Sequence, residues 1–223
     1  MAKREALVDT CFFQKLTNNG KNLETFKKVL ADLDFVPVVH PYIAQHELDM
    51  FPYFNQLVQE GEVRVAKYNE FLKDAEDTAL YEWYFLDLYD EMKKYLETMN
   101  SLKQLPKLLL PKGQTIFTYR HAGISLGDIH IVLMAFFLKM PVVLSEDNDV
   151  KLLKSITTRK MSSEAYSLSI YNVMDLIMMI TQKLDTTYSK KELENVVLDV
   201  KERKRLSEVK KAWDTVRECS MSK

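Results

Sequence analysis

Residues 125–149 have the sequence SLGDIHIVLMAFFLKMPVVLSEDND, in which a helix pattern is followed by a strand pattern. Apolar residues recur every three or four positions from 129 to 137, which predicts a helix with Asp128 at its start. The β-branched run opened by Pro141 predicts a short buried parallel strand, and the acidic sequence SEDND follows it directly. Ligand sites of open parallel sheets lie beyond the carboxyl ends of the strands, so these acids are placed for a functional role.

Other apolar runs predict the remaining strands of an α/β protein. The strands are predicted at residues 6–8, 35–39, 62–67 and within 166–173, where the run at 62–67 alternates as a half-exposed strand does. Helical spacing predicts helices at residues 22–33, 42–51, 70–99 and 174–180, and further helices after the capping-box sequence SKKE at 189–192. Strands that alternate with helices predict a sheet covered by helices.

The composition indicates one helix-rich globular domain with additions. The chain has 223 residues, of which 47% are hydrophobic, and only five are Gly and six Pro. The formal net charge of -1 gives no overall attraction to nucleic acid or to an anionic membrane. Any polyanion would therefore have to bind a local basic patch.

Two features predict a reduced, cytoplasmic protein without a membrane partner. Cys11 and Cys219 lie near opposite ends of the chain, and the first ten residues lack the apolar core of a signal peptide. The longest apolar stretch, residues 131–138, is far shorter than the roughly 20 residues that a membrane-spanning helix needs.

Acids stand at comparable places in four segments of the sequence. Asp9 follows the first predicted strand, Glu47 comes soon after the second, Asp128 begins a helix, and Asp147 with Asp149 follows the Pro-initiated strand. Each acid alone is more typical of a cap or a turn, but their shared setting predicts one cluster. Crowded carboxylates repel one another unless a cation neutralises them, and their oxygens are the ligands that Mg²⁺ or Mn²⁺ prefers.

A cluster of this kind predicts phosphodiester hydrolysis, because a metal-activated water can attack phosphorus while the ion stabilises the leaving oxygen. Other chemistries have weaker support. Cys11 has no identifiable His partner, and the four histidines show no zinc-like spacing. His130 lies two residues beyond Asp128 and is expected to point elsewhere on the helix as a buried or solvent-bridged imidazole.

Four motifs in this order resemble the PIN domain family. They are LVDT at residues 7–10, QHEL at 45–48, LGDIHIVLMA at 126–135 and VVLSEDND at 142–149. The resemblance covers roughly residues 7–60 and 123–176. It implies a three-layer α/β/α PIN-like fold with a central parallel sheet, and a Mg²⁺- or Mn²⁺-dependent endoribonuclease that cleaves single-stranded or structured RNA, with DNA not excluded.

The resemblance also assigns site residues. It implies that Asp9, Glu47, Asp128 and Asp147 are the catalytic, metal-binding acids, and that Asp149 is a further ligand or positions a water. Ser145 corresponds to a Thr or Ser at the end of the strand, where the hydroxyl would orient a water or a phosphate. Basic residues near the cluster in sequence are expected to hold the substrate backbone, namely Lys139, Lys151, Lys154, Arg159 and Lys160.

Two segments depart from a compact PIN domain. We expect a PIN-like domain over residues 1–185 with a helical insertion at about 70–111, and a helical C-terminal extension over 186–223. The insertion is interpreted either as a lid or partner-docking arm or as extra packing. Two alternatives to a free nuclease stay open: a non-catalytic PIN-like module that binds RNA or docks a protein, and a ribonuclease toxin restrained by a protein inhibitor. Whether the protein forms a homo-oligomer also stays open.

Overall fold

The computed structural model describes residues 4–161 and 166–221, and its centre is a five-stranded, all-parallel sheet. The strands are β1 Arg4–Val8, β2 Phe35–Val39, β3 Arg64–Val65, β4 Val142–Leu144 and β5 Ser169–Tyr171. Their order across the sheet is β3-β2-β1-β4-β5, and each neighbouring pair is parallel. The predicted α/β class with a central parallel sheet is confirmed.

The helices of the described residues alternate with these strands. They are α1 Thr10–Leu16, α2 Leu23–Asp32, α3 Pro41–His46, α4 Pro52–Gln59, α5 Tyr68–Phe71, α6 Ala75–Thr98, α7 Leu126–Leu138, α8 Asn148–Met161, α9 Val173–Gln182, α10 Lys190–Asp199 and α11 Leu206–Met221. In this part of the chain, no helix combines the length and the apolar character that crossing a membrane requires.

The central strand β1 and its neighbour β4 are buried along their apolar lengths. Leu7 pairs with Val143 and Val8 with Leu144, and all four side chains are inaccessible to solvent. Parallel strands with helices on both faces have continuous apolar runs for this reason. Each such side chain stabilises the fold by about 1.5–3 kcal/mol relative to full exposure. The apolar runs recognised in the sequence are therefore the centre of the sheet.

The helices form two groups, in an arrangement compatible with a three-layer α/β/α fold. Helices α1, α2, α9, α10 and α11 contact one another, and α7 contacts α3, α5, α6 and α8. Both segments predicted as additions bury side chains in the one hydrophobic core, including Tyr81 and Phe85 of α6 and Leu193 and Val197 of α10.

Two predicted helices are shorter than their apolar patterns indicated. The helix predicted at 42–51 ends early, because α3 stops at His46 and residues 47–51 form turns before α4 begins at Pro52, a residue favoured in a first helical turn. The pattern at 70–99 is divided, because the side chain of Asp74 caps the first turn of α6 and separates it from α5. Apolar spacing continues past the end of α3 and across the aspartate cap of α6, so spacing alone does not show either helix end.

A buried chain of hydrogen bonds joins the end of β2 to α6 and α7. His40 Nδ1 accepts from the Tyr42 backbone N–H at 2.9 Å, so the proton of neutral His40 is on Nε2, 3.3 Å from Tyr81 Oη. Tyr81 Oη can then donate to His130 Nδ1 at 2.9 Å, and His130 Nε2 donates to the Ile116 carbonyl at 3.0 Å. Every member is satisfied only if both imidazoles are neutral.

We predict that His40 makes the protein sensitive to acid. Burial, followed by the nearby His130, holds the pKa of His40 well below its ordinary 6.5, so below pH 6.5 the unfolded chain binds a proton that the folded chain does not. As the pH is lowered below 6.5, the free energy of unfolding should therefore decrease, by at most about 1.4 kcal/mol per pH unit from this group.

His40→Asn is the matched variant, since asparagine keeps an N-cap acceptor but does not titrate. Near pH 8 we expect the variant to be less stable by roughly 1–3 kcal/mol, because a smaller side chain leaves a cavity. Urea titrations should show this difference shrinking as the pH is lowered below 6.5. A difference that stays constant would contradict a neutral, buried His40.

Candidate metal centre

The sheet topology creates a crevice between β1 and β4. From β1 the chain continues to β2 and β3 on one side, and it returns as β4 and β5 on the other. Ligands of open α/β sheets bind at such a switch point, beyond the carboxyl ends of the strands. A cavity of about 450 Å³ lies there, and Asp9, Glu47, Asp128 and Asp147 all line it. The structure thus brings together four acids from four separate segments.

Asp9 is held by both of the strands that form the crevice. It follows β1 and caps α1, with Oδ1 accepting from the Thr10 backbone N–H at 2.7 Å. Its Oδ2 accepts from the hydroxyl of Ser145, which follows β4, and from the thiol of Cys11, each at 2.7 Å. Burial raises the pKa of Asp9, and these hydrogen bonds oppose the rise. The same burial raises the pKa of the Cys11 thiol, so Cys11 stays protonated.

Ser145 has a different setting from the one that the resemblance implies. Its side chain is fully buried, donates to Asp9 and accepts from the backbone N–H of Asp147 at 3.0 Å. These two bonds tie the loop after β4 to the end of β1. Ser145 therefore positions two acids, and its buried hydroxyl does not line the cavity where a water or phosphate would bind.

Glu47 reaches the cavity from the end of α3. Its Oε2 accepts from the Thr10 hydroxyl at 2.5 Å, and its Oε1 lies against the backbone of Gly127 in the first turn of α7. A Cβ atom added at Gly127 would be 2.1 Å from that oxygen, which is too close for any real contact. Burial raises the pKa of Glu47, and the Thr10 hydrogen bond opposes the rise. Glycine at 127 is therefore what gives this carboxylate its place beside Asp128.

The remaining three acids form the tightest group. Asp128, Asp147 and Asp149 are half-buried, and each has a carboxylate oxygen within 4.8 Å of the other two. Burial raises the pKa of Asp128 well above its ordinary value, and the charges of Asp9 and Asp147 raise it further. Oxygen donors at this spacing suit a hard divalent cation such as Mg²⁺ or Mn²⁺. Asp9 and Glu47 are outside this group but line the same cavity.

A lysine that sequence reasoning did not single out lies in the cluster. Lys103, from the segment after α6, forms an ion pair with Asp149 and donates to the Ser125 hydroxyl at 2.6 Å. Ser125 in turn donates to Asp149 at 2.9 Å. Asp149, expected as a further metal ligand, is thus already paired with a positive charge.

The basic residues expected to hold substrate lie elsewhere among the described residues. Lys151, Lys154 and Arg159 line a separate cavity between α8 and β5, and Lys160 pairs with Asp87 of α6 at 2.5 Å. Lys139 ends α7, at the opposite end of that helix from Asp128. The structure does not bring these five residues to the acidic cavity, whose cationic lining residues are Lys103 and Arg120. They lie near the acids in sequence, but α8 extends for 14 residues and its later turns lie away from its N-terminal acids.

Comparisons with known proteins gave no match to the chain, whether with protein-family models, with curated proteins or with solved structures. The resemblance to the PIN domain therefore stays a prediction that rests on the four sequence motifs.

We predict that Gly127→Ala weakens metal binding without destabilising the fold. The clash is with the end of a flexible side chain, so Glu47 can move aside while the helix is retained, and alanine favours a helix over glycine by up to about 1 kcal/mol. Affinity for Mn²⁺, measured by calorimetry, should fall by about tenfold, as for other residues that orient ligands. The melting temperature should not fall.

Ser155→Ala, on the exposed side of α8, is a control that adds no atoms near the acids. It should leave Mn²⁺ affinity unchanged. If Gly127→Ala folds normally and binds Mn²⁺ as tightly as the parent, Glu47 is not part of the centre.

Proposed function

We propose that this protein is a PIN-like, divalent-metal-dependent endoribonuclease, with Mg²⁺ or Mn²⁺ held by the acids of the crevice. The observation that carries the proposal is the meeting of Asp9, Glu47, Asp128 and Asp147 in one cavity at the switch point of the sheet. These acids come from segments up to 138 positions apart, and stability alone gives no reason to assemble them. The PIN-like assignment and the choice of RNA rest on the sequence motifs.

The electrostatics of the cavity support a cation site. Burial raises the pKa of Asp9, Glu47 and Asp128, and neighbouring carboxylates add to the rise, so the ionised cluster opposes folding near neutral pH. A divalent cation would remove that repulsion. In this proposal Asp128 and Asp147 would hold it, and Asp9 and Glu47 line the same cavity.

Bound there, such an ion supplies a water of lowered pKa and stabilises negative charge on a phosphodiester. The chain itself supplies the positioning. Ser145 fixes Asp9 and the Asp147 loop, and Thr10 donates to both Asp9 and Glu47. Ligands held by hydrogen bonds of this kind keep a fixed geometry when a charged substrate arrives.

One observation favours a second candidate, a non-catalytic PIN-like module. The ammonium group of Lys103 already neutralises Asp149 without any metal ion. A scaffold that binds no metal would need such a cation from its own chain, because nothing else would neutralise the negative charge of its acids. The two candidates differ in whether Mn²⁺ binds and in whether RNA is cut.

The test compares the parent with Asp128→Asn and with Asp90→Asn, a control that removes one charge from the exposed face of α6. With free Mn²⁺ about a hundredfold above its Kd, the parent should gain about 2.7 kcal/mol of stability and should cleave labelled RNA, and chelator should abolish both effects. Asp128→Asn should melt higher than the parent without metal, since it relieves repulsion, but should gain nothing from Mn²⁺.

Cleavage by Asp128→Asn should fall by at least about a hundredfold, because a group that supports several kcal/mol of charge stabilisation is lost. Asp90→Asn should behave like the parent. RNA binding with neither Mn²⁺ binding nor cleavage would favour the scaffold and contradict the metal centre. Mn²⁺ binding without cleavage would contradict the nuclease.

A further inference from the structure

The segment that precedes α7 is firmly fixed although residues 116–119 form no helix or strand. Three of its four carbonyls accept hydrogen bonds from side chains: Ile116 from His130 at 3.0 Å, Phe117 from His46 at 3.1 Å and Tyr119 from Tyr42 at 2.8 Å. We call residues 116–119 the anchored loop. The donors belong to α3 and α7, the two helices that carry Glu47 and Asp128.

Aromatic packing adds to the anchoring. The ring of Phe117 lies 5.7 Å from that of Tyr81 and 5.1 Å from that of Tyr68, and Ile116 is buried in the core. A loop held by its carbonyls, by the buried Ile116 and by the half-buried Phe117 has a defined path. The residue that follows it therefore has a defined position as well.

That residue is Arg120, which lines the acidic cavity and is exposed to solvent. In residues 4–161 and 166–221 its guanidinium has no hydrogen bond or ion pair. Its charge is nevertheless felt in the cavity: burial raises the pKa of Glu47, and Arg120 is among the groups that oppose the rise. An arginine that makes no hydrogen bond or ion pair with the nearby carboxylates keeps its N–H donors available to another anion.

The other cation of the cavity is not equally available. Lys103 is already bonded to Asp149 and Ser125, whereas Arg120 keeps all five of its N–H donors. The guanidinium is planar and matches two oxygens of a phosphate at once. A phosphate group approaching the acids would otherwise meet net negative charge. Arg120 is thus the group best placed to attract it.

We propose that Arg120 is the phosphate-binding residue of this site, and that the anchored loop holds it over the acids for a polynucleotide backbone. The proposal rests on the proposed function and deepens it, because it gives the segment between α6 and α7 a role in binding substrate in addition to its packing. The cavity of about 450 Å³ is of the size that holds a small ligand, so it can admit a single nucleotide unit of a polynucleotide.

The test measures RNA binding apart from metal and from cleavage. In the Asp128→Asn background, the affinity for a short labelled single-stranded RNA is measured by fluorescence anisotropy over a range of KCl concentrations. Arg120→Ala should weaken binding about tenfold, the effect of one charged hydrogen-bonding group. The slope of log K against log salt should decrease by about 0.7, as expected for the loss of one contact to a single strand.

Lys112→Ala is the matched control, since it removes one exposed positive charge from the same connecting segment outside the cavity. It should change affinity by less than about twofold, as a remote exposed charge does. Tyr42→Phe releases the Tyr119 carbonyl while keeping Arg120. This variant should weaken binding by less than Arg120→Ala does, and it should leave the salt slope unchanged.

Equal losses from Arg120→Ala and Lys112→Ala would overturn the role of Arg120, as would a parent that binds no RNA. Mn²⁺ binding is measured separately on the variants with Asp128 intact, where Arg120→Ala should not weaken it. RNA binding that depends on Arg120 in a protein that binds no Mn²⁺ would keep this proposal and contradict the metal centre. If Mn²⁺ binds but Arg120→Ala leaves RNA affinity unchanged, the metal centre is kept and the role of Arg120 is contradicted.

Discussion

The parallel pairing of β1 with β4 is the constraint on which the rest of the structure depends. It sets the carboxyl ends of two strands side by side although 133 residues separate Val8 from Val142 in sequence. Asp9 follows one strand and the SEDND sequence follows the other, so their meeting is a consequence of the pairing. The hydroxyl of Ser145 then donates a hydrogen bond to Asp9, which follows β1, and accepts one from the backbone N–H of Asp147, which follows β4.

Repulsion among the clustered carboxylates lowers the free energy of unfolding, and burial of the surrounding apolar side chains offsets that loss. Three acids with raised pKa values stand where their charges repel, and the apolar strands beneath them are fully buried. Residues that oppose folding in this way cluster at functional sites, since stability alone would remove them. The His40–Tyr81–His130 hydrogen bonds belong to the same region, because they join α6 to the end of β2 and to the helix that carries Asp128.

Much of the fold could be predicted from local pattern, whereas contacts between distant segments could not. Runs such as ALV at 6–8 and VVL at 142–144 show buried strands without knowledge of their partners, and acids that follow parallel strands must share one edge of the sheet. Lys103 and Arg120 have no such signal, because they are two of the four lysines and arginines in a segment without helix or strand between α6 and α7. Sequence proximity to SEDND favours basic residues of α8 instead, and the helix carries them away from the acidic cavity. Gly127 lies inside a helix pattern, and the reason for a glycine there is visible only from the position of the Glu47 carboxylate, which a Cβ atom would meet.

The central claim is that these acids form a divalent metal centre, and the most direct test is a crystal soaked in Mn²⁺. An anomalous difference map should show a peak bonded to carboxylate oxygens of Asp128 and Asp147 at about 2.1 Å, with Asp9 and Glu47 facing it directly or through water. A map with no peak in the crevice at saturating Mn²⁺ would contradict the account. So would a structure in which the Lys103 ammonium fills the centre of the cluster.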